Sequence, residues 1–294
     1  MLGAIIGDMV GSPYEFKGKK DYNFPFFNRH CTTTDDSYMT VAVGRALQNC
    51  IDNLDDIEAL KKEAIFQMRD IGKAHPDVGW GESFWQWISL SSTPYNSYGN
   101  GAGMRVSAVG WIADSEEQVK KLSKAVTEIS HNHPEGIKGA EAIAMCVYLA
   151  RIGKSKEEIK QYVIDNYYPE IKNMTYDWLH SSYGLDDAGN WVTCQGSIPQ
   201  SIVCFLDSTS FEDAVRKEVS LGGDTDTQGC MTGAIAEAYY GIPEKMILEA
   251  EDYMPQDVLS LYLAFNQVKK KRVERKKYNA LDEPRFNRGF LFCY

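Results

Sequence analysis

The sequence predicts an all-α protein, and three observations carry that prediction. Apolar residues recur at spacings of three and four through most of the chain, sustained alternation is scarce, and cap and stop residues flank the periodic stretches. SYMTVAVGRALQNCI (37–51), LDDIEALKKEAIFQMRDIG (54–72), EEQVKKLSKAVTEIS (116–130), IKGAEAIAMCVYLARIG (137–153) and CMTGAIAEAYYGI (230–242) each carry the helical period. Ser115 with Gln118 and Ser155 with Glu158 have capping-box spacing, and Ser210 with Asp213 is a looser version. Gly153, Gly241 and Pro243 stand where helices should stop. IVCF (202–205) is the best short strand candidate, although the preceding GSIP could equally open a buried helix. Residues 181–196 and 278–294 read as long irregular segments.

No fixed-period repeat and no low-complexity linker divides the 294 residues. The economical reading is one domain over 1–294, its boundary softest at the basic C-terminal helix and tail, 256–294. Small residues and wide apolar faces predict a compact orthogonal multi-helix bundle with a buried centre. Hydrophobic content of 44% and charged content of 24% are those of a soluble globular chain.

The net charge is −10, and residues 269–277 (KKKRVERKK) alone carry +6, which leaves −16 elsewhere. So acidic a remainder repels nucleic acid and membrane surfaces and suits cations. The basic run itself reads as a solvated helix face. Seven scattered cysteines without a CxxC pair indicate neither a disulfide framework nor a zinc knuckle. The apolar N-terminus has no basic flank, contains Asp8 and is too short to span a bilayer, so a cytoplasmic protein is expected. A monomer is the default.

Two acidic clusters carry the chemistry. Thr34, Asp35 and Asp36 precede the helical pattern beginning at Tyr38, and Asp224, Asp226 and Thr227 precede the one beginning near Gln228. Either cluster alone is explained by helix capping, since hydroxyls and carboxylates accept from free first-turn amides. If the two helix starts converge, four carboxylates and two hydroxyls surround one small volume. Those charges cannot coexist there without cations. An all-oxygen set points to Mg²⁺, or Mn²⁺ in its place, and this many carboxylates suits two ions. The aspartyl phosphatase motif is a rival for Asp224-x-Asp226. It needs an apolar strand before the first aspartate and threonine or valine two residues after the second, where this chain has FEDAVRKEVS and Gln228.

Three further stretches are candidates. GNGAGMR (99–105) lets backbone approach a ligand, and its amides could cradle a phosphate. Ser97 and Tyr98 just before it offer a hydroxyl and a stacking ring. His131-x-His133 has a zinc-pair spacing found in amidohydrolases, but those need a β/α barrel and more than the five histidines available. A ligand-contacting or structural His131 is the better reading. Glu15, after a glycine-spaced apolar helix and a proline turn, becomes an acid–base candidate if the acidic clusters lie beside it.

GDMVGSPYEF, TTDDSYM, SYGNGAGMR, SHNHPEG, CQGSIPQSI and GGDTDTQGCMTGAIAEAYYG occur in an order that resembles the ADP-ribosylglycohydrolase family, over residues 1 to about 245. The resemblance implies an all-α fold with a metal-containing cleft that binds ADP-ribose above two Mg²⁺ ions. By that similarity the metal ligands would be Thr34, Asp35, Asp36, Asp224, Asp226 and Thr227, with Asp35 and Asp226 acting in catalysis. Glu15 would be the catalytic or gating carboxylate. Ser97, Tyr98, Gly99, Asn100, Gly101, Met104 and His131 would bind ADP-ribose. Ser37 replaces a common threonine and keeps the hydroxyl. Asn100 stands where some relatives have a carboxylate.

The implied activity is Mg²⁺-dependent cleavage of the glycosidic bond between ADP-ribose and an acceptor, such as an arginine or serine side chain. Hydrolysis of O-acetyl-ADP-ribose and non-catalytic ADP-ribose binding are the alternatives.

Overall fold

A crossing of two glycine-lined helices organises the centre of the molecule. Leu2–Gly11 carries glycine at positions 3, 7 and 11, and Thr225–Tyr240 answers with Gly229 and Gly233. The backbones meet so closely that a Cβ on Gly7 would fall 1.9 Å from the Gly229 carbonyl oxygen. Thr225 Oγ1 locks the crossing by donating to the Gly11 carbonyl at 2.9 Å. Every residue of Leu2–Gly11 is buried, Asp8 included.

The computed structural model describes residues 1–18, 20–183 and 190–282. Among them there is no named strand, only an isolated antiparallel bridge between Gly99 and Thr193. The helix pattern of the sequence appears as Asp35–Asn49, Ile57–Ala74, Glu116–Glu128, Pro134–Arg151 and Thr225–Tyr240. The expected caps form. Ser155 and Glu158 make both halves of a capping box, Ser115 Oγ accepts the Gln118 amide at 3.1 Å, and Ser210 Oγ accepts the Asp213 amide at 3.1 Å. The fold is the all-α bundle that the sequence predicts.

Four details differ from expectation. IVCF lies inside the helix Cys194–Leu206, which starts because Thr193 Oγ1 accepts the Gly196 amide at 3.1 Å. That helix and a 3₁₀ turn at Asn190–Val192 also replace the C-terminal part of the segment read as irregular. Residues 184–189 of that segment lie outside the described residues. The last helix runs Gln256–Asp282, so the first residues of the segment read as irregular from 278 are helical, and 283–294 lie outside the described residues. Its basic run is not simply a solvated face. Lys269 Nζ sits 3.9 Å from the centre of the Trp111 ring, and Arg272 Nη2 donates to Asp114 Oδ2 at 2.7 Å. The described cysteines, Cys31 through Cys230, are free thiols. No helix of the described residues is long and apolar enough to cross a membrane.

Candidate active site

The helix crossing brings both acidic clusters to one place. Leu2–Gly11 delivers Asp8, Asp35–Asn49 delivers Asp35 and Asp36 in its first turn, and Thr225–Tyr240 delivers Asp226 and Thr227, with Asp224 at its N-cap position. Carboxylate oxygens of Asp8, Asp36 and Asp226 lie within 4.8 Å of one another, and so do those of Glu15, Asp224 and Asp226. Asp226 belongs to both groups. Burial raises the Asp35, Asp36, Asp224 and Asp226 carboxyls above their usual range, and neighbouring carboxylates push Asp35, Asp36 and Asp226 further the same way. No cationic side chain figures among the influences on these four carboxyls, and protons or divalent cations would relieve the crowding.

The donor set fits hard cations. Buried Asp36 Oδ1 has no hydrogen-bond partner among the described residues, which leaves an open oxygen in this group. Thr227 Oγ1 donates to Asp36 Oδ2 at 3.1 Å, and Thr34 Oγ1 lies 3.2 Å from the same oxygen. No histidine or cysteine enters either carboxylate group among the described residues. The capping role also operates, since Thr34 Oγ1 accepts the Asp36 amide at 3.3 Å. The second cluster divides: the Asp224 side chain makes no cap bond and turns instead to Asn100, whereas Asp226 Oδ1 accepts the Thr227 amide at 3.0 Å.

Asp8 enters the site without any signal assigned to it in the sequence reading. It accepts from the amides of Thr34 and Ser37 at 3.0 and 3.1 Å, from Thr34 Oγ1 at 2.8 Å, and from the Ser37 hydroxyl. Those donors oppose its burial, which nonetheless lifts the carboxyl to about 6. A lone aspartate inside LGAIIGDMVG was the available clue, because a charge in an all-buried helix needs dedicated partners.

The carboxylates open into a cavity of about 720 Å³. Glu15, Asp35, Asp224, Asp226 and Thr227 form one end, while Ser97, Tyr98, Gly99, Asn100, Gly101, Met104 and His131 line the remainder. Thr34 and Asp36 stand behind that lining. Glu15 is placed by its neighbour, since the Phe16 amide donates to the Gly223 carbonyl at 2.8 Å. Burial first, then Asp224 and Asp8, raise its carboxyl. Phe16 adopts φ 52° and stacks on Trp191 at 6.2 Å, so the turn beside Glu15 holds a left-handed backbone.

The glycine loop is more committed internally than a free phosphate cradle would be. Gly99 N–H donates to Ser97 Oγ at 3.1 Å, Asn100 N–H to the Val192 carbonyl at 2.9 Å, and the helix that follows is the single turn Gly101–Met104. Asn100 Nδ2 donates to Asp224 Oδ2 at 2.7 Å and to the Trp191 carbonyl at 3.0 Å, so this side chain orients a carboxylate. The two histidines separate in role. His131 borders the cavity, while His133 Nδ1 accepts the Glu135 amide at 3.1 Å and caps Pro134–Arg151. Phe84 and Tyr95 also line the cavity, brought to the glycine loop only by the folded chain, and Arg105, the last residue of that stretch, lines it too.

Comparison with known proteins places this chain among enzymes that hydrolyse glycosyl bonds. It belongs to the ADP-ribosylglycohydrolase family, whose model matches residues 1–274. It is 27% identical to human ADP-ribosylhydrolase ARH3, with 91% of this chain and 93% of that protein covered. It is also 27% identical to the ADP-ribosyl-[dinitrogen reductase] glycohydrolase of Rhodospirillum rubrum, with 83% and 85% covered. A solved structure titled ADP-ribosylglycohydrolase-related protein complex shares the fold at a TM-score of 0.63 and 19% identity, covering 91% of this chain and 95% of that one.

Proposed function

We propose that this enzyme hydrolyses the bond between the anomeric carbon of ADP-ribose and an acceptor group on a protein side chain, such as arginine or serine, with two Mg²⁺ (or Mn²⁺) ions. The observation that carries the reading is the pair of carboxylate groups sharing Asp226 at the end of the glycine-loop cavity. Asp36 and Asp226 would hold one ion, and Asp224, Asp226 and Glu15 the other, with Asp35, Thr34 and Thr227 completing the oxygen set. Bound cations would supply charge that orients the ribose hydroxyls and acidifies a water.

The chain's own residues account for the remaining steps. Bond breaking places positive charge on the ribose ring, which the surrounding carboxylates favour. Glu15, half-buried with a raised carboxyl, holds a proton more readily than a surface glutamate and suits both donation to the leaving group and uptake from water. Tyr98 and His131 flank the nucleotide side, and Asn100 keeps Asp224 turned inward.

Free ADP-ribose release from arginine-linked, serine-linked and O-acetyl substrates, each with Mg²⁺ and with EDTA, tests the reading. Release from one protein-type linkage, abolished by EDTA, is the expected result. Release from the O-acetyl substrate alone replaces the acceptor. ADP-ribose binding without release from any substrate overturns hydrolysis.

A further inference from the structure

Behind the glycine loop runs a polar chain that the chemistry above does not use. Arg105 has no solvent-exposed surface, yet it borders the cavity. Its Nη2 donates to Ser130 Oγ at 2.7 Å and reaches the Val126 and Thr127 carbonyls at 3.4 Å, while Nε and Nη1 find no hydrogen-bond partner among the described residues. Ser130 Oγ in turn lies 2.8 Å from His131 Nδ1.

Hydrogen bookkeeping sets the direction of this chain. A guanidinium only donates, so Ser130 Oγ accepts from Arg105. The single hydroxyl hydrogen then has His131 Nδ1 as its one acceptor. Were Nδ1 the protonated nitrogen, that hydrogen would be stranded in a buried place. Doubly protonated imidazole is disfavoured too, by burial first and by the Arg105 charge second. The remaining hydrogen therefore sits on Nε2, which makes no hydrogen bond among the described residues. Nε2 faces the glycine loop, where a Cβ on Gly101 would fall 3.3 Å from it and one on Gly99 3.7 Å. The Phe84 and Tyr95 rings pack against the imidazole, with centroids at 6.0 and 5.7 Å.

We propose that Arg105 and Ser130 are positioning residues that fix His131 as an uncharged Nε2–H donor, aimed at an acceptor oxygen or ring nitrogen of the nucleoside diphosphate in the cleft. The ligand half of this statement rests on the ADP-ribose reading, whereas the tautomer does not. A neutral donor holds an acceptor atom without contributing a titrating charge, and the fixed positive charge behind it polarises the N–H.

The test is ¹⁵N NMR of histidine-labelled protein, with the His131 signal assigned by its loss in His131→Gln. The wild type should show the Nε2–H tautomer and no protonation of His131 between pH 5 and 8. Ser130→Ala should give a mixture of tautomers and weaken ADP-ribose binding by about tenfold, the size of one lost hydrogen bond, with the loss appearing in KM rather than kcat. His131→Gln, which keeps a donor near the Nε2 position, should retain more affinity than His131→Asn. An Nδ1–H or charged His131 in the wild type overturns the proposal, as does an unchanged tautomer in Ser130→Ala. Equal ADP-ribose affinity across all three variants overturns the ligand half. A wild type that shows the Nε2–H tautomer but does not bind ADP-ribose supports the positioning and refutes the functional reading instead.

Discussion

Asp8 takes hydrogen bonds from two amides and two hydroxyls, all on Thr34 and Ser37, so it ties the first turn of Asp35–Asn49 to the N-terminal helix. Replacing one of its oxygens by an amide turns an acceptor into a donor that faces other donors. Asp8→Asn should therefore cost about 1–3 kcal/mol, the penalty of unsatisfied buried groups, measured as a lower urea midpoint at unchanged slope. Glu15→Gln is a different kind of change, because the half-buried side chain keeps its shape while losing proton transfer and its charge beside Asp224 and Asp226. Its kcat should fall about 10²-fold while the melting temperature stays near wild type. Retained turnover in Glu15→Gln alongside an inactive Asp226→Ala would remove Glu15 from the acid–base role.

Helix packing sets where these residues stand. At the crossing of Leu2–Gly11 with Thr225–Tyr240 a methyl group on Gly7 would meet backbone at 1.9 Å, and backbone cannot rotate away. Gly7→Ala should destabilise by about 1–3 kcal/mol through overpacking, and by displacing Asp8 from Asp226 it should weaken Mn²⁺ binding measured by calorimetry. On the other side of the central helix, Glu218 from Phe211–Val219 is fully buried, with Oε2 accepting from Thr232 Oγ1 at 3.0 Å and the Cys204 thiol beside the carboxyl. Burial lifts its carboxyl to about 7 from 4.5. Between those two pH values the folded state holds a proton that the unfolded chain has released. Stability from this group is thus complete below pH 4.5 and falls as pH rises toward 7, by a total on the order of 3 kcal/mol. Glu218→Gln should flatten the dependence of the urea midpoint on pH across that window and melt higher than wild type at pH 7.5. An unchanged slope would show that Glu218 is not the titrating group.

Across the whole molecule, what the sequence made legible followed from local rules. Helix periods, the caps at Ser115, Ser155 and Ser210, and the paired acidic helix starts all depend on neighbours in the chain. Asp8, Arg105 and the Phe16–Trp191 stack were illegible because their meaning depends on partners many residues away, and IVCF misled because a buried helix and a buried strand share one short apolar pattern. The same distinction bears on the metal question, since the acidic clusters signal a charge problem that only the assembled fold creates. Crowding Asp36, Asp224 and Asp226 into one buried volume costs stability when no cation is bound, so divalent ions should act as folding ligands. With free cation a hundredfold above Kd the gain is about 2.7 kcal/mol, or roughly 5 °C for a chain of this size. Differential scanning fluorimetry should show that rise with Mg²⁺ or Mn²⁺ and not with the same ionic strength of Na⁺. In Asp226→Asn the rise should vanish, because Asp226 belongs to both carboxylate groups. Freed of one crowded charge, the same variant should melt in EDTA at or above wild type in EDTA. A cation-dependent rise of equal size in Asp226→Asn would place the ions elsewhere, whereas a variant that melts lower in EDTA would mean that Asp226 is a net structural acceptor and not a charge held in strain for the metals.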